Sequence, residues 1–126
     1  MKTSTLIRPF VLAFAGASLV TVLSAAEAKA EAKPQVTVTG EVLDMACYLD
    51  HGAHGAKHAD CAKTCISNGL PVGLRTADGK TYLLIGDHMP ANSELAKHAA
   101  ETITVKGKLV ERDGINLLEN IEIVKS

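Results

Sequence analysis

The last 25 residues restrict the fold most. Thr102–Glu111 and Ile115–Val124 each alternate apolar with polar side chains, and Arg112, Asp113 and Gly114 stand between them. A period of two puts successive side chains on opposite faces of a strand, and an Asp-Gly step supplies the positive φ of a tight turn. The chain therefore ends in a long hairpin with one buried face, which needs further strands to cover it. Val36, Val38 and Val42 alternate with Thr37, Thr39 and Glu41 in an earlier strand that ends at Asp44, and Gly40 in its middle predicts a bulge or bend. Pro71–Thr76 and Lys80–Ile85 flank Ala77, Asp78 and Gly79 as a second hairpin.

Two helices are expected between these strands. Lys57–Asn68 has helical character and stops at Gly69, a C-terminal cap, whereas Met45–Ala56 breaks every pattern and reads as loop. Ser93–Ala100 forms the other, capped by Asn92 or Ser93, with Leu95, Ala96 and Ala99 as a thin apolar face. The predicted fold class is mainly β with two short helices: a five-stranded barrel with one helix between strands 3 and 4 and a long helical insertion between strands 1 and 2. An open antiparallel sheet carrying the same helices is the competing arrangement. The segments VTVTGEVLD and ITVKGKLVERDGINLLENIEI resemble the first strand and last hairpin of oligonucleotide/oligosaccharide-binding (OB) barrels.

The start of the chain bears on location. Lys2 and Arg8 precede an apolar run from Pro9 to Leu23, and Ala26-Glu27-Ala28 has the small-x-small form of a signal-peptidase site. Residues 1–28 are expected to be a signal peptide cleaved after Ala26 or Ala28, residues 29–34 a solvated tail, and residues 35–126 one OB-like domain in the periplasm or medium, with no membrane attachment after cleavage. The first cysteine is Cys47, so a lipid-modified N-terminal cysteine is excluded. Phe10 and Phe14 leave with the signal, and Tyr48 and Tyr82 remain as the mature aromatics. The mature part keeps 11 basic and 13 acidic residues, a formal net charge of −2. Without a basic groove or aromatic platforms, nucleic acid is not an expected partner.

The least ordinary feature is a cluster of soft donors. Cys47, His51, His54, His58, Cys61 and Cys65 are six of the eight mature Cys and His residues, the others being His88 and His98. Thiolates and neutral imidazoles are the usual ligands of zinc and copper. The expected four-ligand set is Cys47, Cys61 and Cys65 with one loop histidine, His51 or His54. If Lys57–Asn68 is helical, His58 shares a stripe with Cys61 and Cys65. In an antiparallel meander strands 1 and 3 exit at the same end, so His88 is also a candidate for the site. His98, isolated on the second helix, reads as a solvated residue. Met45 and Met89 can offer thioethers to Cu(I), but core packing is the preferred reading of both; Asp44, Asp50 and Asp60 can orient imidazoles or simply be solvated.

No zinc signature has the spacing C-x13-C-x3-C, and C-x-x-C-H is absent, which excludes c-type haem. A disulfide from Cys47 to Cys61 or Cys65 is the structural alternative, closing a loop of roughly fifteen to twenty residues worth about 3 kcal/mol. One thiol would then be left over.

The stretch DMACYLDHGAHGAKHADCAKTCISNGLPVGL followed by YLLIGDH is similar to small secreted bacterial OB-fold-like proteins with a Cys/His-rich first loop. That resemblance implies the fold, export and the loop, and assigns no activity. Three functions are in view. The first is a periplasmic carrier, buffer or sensor of copper or zinc, not an enzyme, working with a periplasmic protein partner. The others are a thiol redox enzyme using Cys61 or Cys65 beside His58, and a disulfide-stapled interaction module without metal.

Overall fold

The computed structural model describes residues 33–126. The expected signal peptide and most of the expected tail lie outside the described residues.

Five strands close into a barrel: β1 (Gln35–Asp44), β2 (Val72–Arg75), β3 (Thr81–Leu84), β4 (Thr102–Arg112) and β5 (Ile115–Lys125), in the order β1-β2-β3-β5-β4 and back to β1. All pairings are antiparallel except β3 with β5. This is the OB-like barrel that the alternation pointed to. Closure depends on β1, which pairs with β4 from Gln35 to Glu41 and with β2 from Glu41 to Asp44. At the handover sits Gly40, where a Cβ would stand 2.5 Å from the Arg75 carbonyl oxygen, so the close approach of β2 requires glycine. The last hairpin turns on two residues rather than three: Arg112 pairs with Ile115, and Asp113 and Gly114 carry φ of 51° and 83°.

Among the described residues there are three α-helices, one more than expected, with α1 at Met45–His51, α2 at Ala59–Ser67 and α3 at Asn92–Leu95. α1 falls in the stretch read as loop. Its start is fixed by Asp44, whose carboxylate accepts from the amides of Ala46 and Cys47 at 3.2 and 3.0 Å. Its end is fixed by Gly52, left-handed at φ 73°, whose N–H returns to the Tyr48 carbonyl at 2.8 Å. α2 begins two residues later than expected because Ala56–His58 winds as a tighter 3-10 turn. His58 therefore sits at the helix entrance, as the residue before its first turn. The helix expected over Ser93–Ala100 is likewise shortened to α3 and a 3-10 turn, Ala96–His98. Ala91 takes its N-cap position. Asn92 instead donates its side-chain amide to the carbonyls of Ile66 and Leu70, both at 2.8 Å, satisfying acceptors where α2 ends.

The core runs through the barrel and out under the helices. Val42, Leu74, Leu84, Ile103, Val105 and Leu118 fill the interior, Ala62 and Ile66 enter from α2, and Leu95 enters from α3. Ile66 is completely buried. α2 is thus held to the barrel by its apolar face, and its other side is free to carry cysteines.

Candidate metal centre

Two helices bring the thiols together. Cys47 is the third residue of α1 and Cys61 the third of α2, with Cys65 one turn further along. The three sulfur atoms lie within 4.8 Å of one another. Thiolates bound to one tetrahedral ion at about 2.3 Å stand roughly 3.8 Å apart, so modest side-chain rotation brings the trio to ligand spacing. Cys47 and Cys65 are half-buried, Cys61 is exposed, and none is in a disulfide. Among the described residues this is the one group of three or more Cys, His, Asp or Glu side chains whose ligand atoms converge so closely.

Asp44 ties the first thiol to the barrel. It is 2% exposed and ends β1 while capping α1. Its carboxylate accepts from the Cys47 thiol; that bond, then burial, then the carboxylate's negative charge push the Cys47 pKa up to about 12. Burial raises Cys65 first, and the charges of Asp44 and Cys61 add to it, against a lowering hydrogen bond from Cys47. The Asp44 carboxylate beside Cys47 makes that side of the trio electronegative, which favours a cation arriving in place of the protons; burial, the first cause at Cys65, does not.

The histidines divide into three groups. His54 and His58 line a small cavity with Cys47, Cys61 and Asp44; its volume is about 10 Å³, close to one water molecule. His54 donates its Nδ1–H to the Gly52 carbonyl at 2.7 Å and meets the Tyr48 ring edge-on at 6.4 Å. His51 lies outside that lining: its side chain is 54% exposed, its Nδ1 donates to Asp50 at 3.2 Å, and its ring stands 6.4 Å from that of His58. His88 is set apart on the connection between β3 and α3, with φ 52°, where its charge acts on Glu119 of β5. The strand exits do share an end, and α3 and the turn after it reach α2, but His88 is not in the cavity lining. His98 pairs with Glu101 at 2.9 Å and is not in the cavity lining; its side chain is 18% exposed, so it is not the solvated residue expected.

Both methionines have other places. Met45 packs over Gly73, where a Cβ would collide with its sulfur, and Met89 is 61% exposed. Two carboxylates help to build the site: Asp44, which the sequence offered as an orienter of imidazoles or a solvated residue and which is buried, and Glu41, which it passed over. Asp44 is its anchor, signalled by an Asp seven residues before His51 and eight before Gly52, a helix-length interval between capping residues. Glu41 gave no such signal: its carboxylate accepts from the Gly55 amide and so fastens the histidine loop to β1.

No protein-family model matches this chain, and neither a curated protein nor a solved structure does.

Proposed function

We propose that the protein binds a thiophilic d10 ion, copper or zinc, through Cys47, Cys61 and Cys65, and that it does so outside the cytoplasm as a carrier, buffer or sensor. The convergence of three sulfurs from two separate helices within 4.8 Å carries this reading. Soft thiolates select Cu(I) and Zn(II) over the harder ions of the envelope. Exposed Cys61 leaves the ion within reach of a partner that loads or unloads it, and the basic, apolar and small residues at the chain's start support export. A redox role through Cys65 fits less well, because a nucleophilic cysteine needs a lowered pKa and that of Cys65 is raised.

The test is elemental analysis of protein purified from the periplasm under reducing, chelator-free conditions, alongside the variant Cys47→Ser/Cys61→Ser/Cys65→Ser. About one copper or zinc per chain is expected in the native protein and none in the variant. Equal metal in both would overturn the proposal.

A further inference from the structure

We infer that the fourth ligand is His54, through Nε2, and that the completed Cys3His site is built for a divalent ion of the zinc class. This rests on the reading that the cysteine trio binds metal, and adds the ligand that selects among metals.

The first support is the state of the imidazole. A carbonyl oxygen can only accept, so the 2.7 Å bond from His54 to Gly52 places the ring proton on Nδ1 and leaves a lone pair on Nε2. Metal-bound histidines are oriented this way, with the second ring nitrogen donating to a carbonyl or carboxylate. Position is the second support. His54 borders the cavity that Cys47 and Cys61 also border, and that space holds one water-sized occupant.

The loop is also held where it is needed. The Ala53 amide bonds the Cys47 carbonyl at 3.4 Å, the Ala53 side chain is buried, and Glu41 fastens Gly55. Between these points the exposed His54 side chain retains freedom, flanked by Gly52 and Gly55 at φ 73° and 76°. The 4.8 Å cluster comprises the sulfurs alone, so ligation draws the ring inward from the rim. His58 borders the cavity too, but it packs toward His51 and has no hydrogen bond fixing its tautomer among the described residues.

Charge selects the ion. Three thiolates around a monovalent ion leave two uncompensated negative charges, and around a divalent ion one. Buried Asp44 stands beside Cys47 and adds its own negative charge, so the dication is the better match.

The experiment uses the reduced, metal-free mature protein with 15N-labelled histidine, titrated with zinc and followed by NMR. One equivalent of zinc should shift the His54 Nε2 resonance and leave those of His51, His88 and His98 in place. Zinc affinity, read by chelator competition, should fall on the order of 100-fold in His54→Ala and stay unchanged in His51→Ala, while Cu(I) affinity changes far less in His54→Ala. Zinc binding with a shifted His58 resonance, or with all imidazoles unmoved, overturns the His54 assignment and leaves the cysteine reading standing. Failure of the reduced protein to take up either zinc or Cu(I) overturns both.

Discussion

Truncating Ile66 separates the seating of α2 from the chemistry on its outer face. The side chain is fully buried in the barrel core, while Cys65 immediately before it belongs to the sulfur trio. Ile66→Ala removes three carbons, about 2.5 kcal/mol of transfer free energy at roughly 0.8 kcal/mol per methylene. The cavity left in a closed barrel raises the loss to about 3–4 kcal/mol, inside the usual range of roughly 2–5 kcal/mol for such changes. A domain of this size has about 5–14 kcal/mol of stability in total, so the metal-free variant should still fold, with a melting midpoint lowered by roughly 12–32 °C. Free zinc at about 1,000 times its Kd adds about 4.1 kcal/mol to any native state that binds it. Zinc-saturated Ile66→Ala should therefore regain approximately the stability of the metal-free native protein. Urea titrations of both proteins, each with and without zinc, supply the four values. A loss below about 1 kcal/mol in the metal-free variant would refute the claim that Ile66 seats α2. A zinc increment present in the native protein and missing in the variant would refute the claim that seating and ligation are separable.

Gly40→Ala should cost at least about 2 kcal/mol in the same titration, because the new methyl meets the backbone carbonyl of Arg75 and β1 must move where it passes between two partners. Glu119→Gln should lower stability at pH 7 and lose that effect as the pH falls below the folded pKa of Glu119. Lys108, 2.5 Å from the Glu119 carboxylate, holds its pKa below the usual value. The stabilisation is thus present above the unfolded pKa of about 4.3 and disappears as the pH falls through the lower folded value. A pH-independent difference between the two proteins in denaturant would count against that ion pair.

The barrel was legible because its strands obey local rules: the Val/Thr alternation of β1, the Asp-Gly turns and the glycine at the bend are each visible within a short window of sequence. The parallel contact of Leu83 and Leu84 with Leu117 and Leu118 was not, since a pairing across more than thirty residues has no local signature. α1 was missed for a different reason. Met45 and Leu49 stand four apart, but Leu49 is 74% exposed, so seven residues carry no buried stripe and the helix is held by its two caps and by Met45 alone reaching the interior. That omission mattered, because α1 sets the direction of Cys47. The three cysteines were picked out from their density, and the sequence could pair them with any of the nearby histidines. Separating His54 and His58 from His51 and His88 required the 3-10 turn, the Glu41 tether and the position of α3, which are products of packing.

The placement of the sulfurs has a consequence for how the centre must be tested. Cys47 belongs to α1 and the other two to α2, so a metal held by all three joins the helices across the His loop. A disulfide from Cys47 to either partner would join them at nearly the same points, constraining the unfolded chain by about 3 kcal/mol. Stability alone cannot tell the two apart: both would raise the melting midpoint, and both would vanish in Cys47→Ser. They differ in protons and electrons. Metal binding releases protons from thiols whose pKa values the site has raised, and it is reversed by a chelator. Disulfide formation removes two electrons, leaves the third thiol free, and is reversed by a reductant. Only Cys47 can bridge the helices in either case, since Cys61 and Cys65 lie on the same one. Chelator and reductant, applied separately, therefore identify which cross-link the centre uses, whereas a melting curve reports only that one is there.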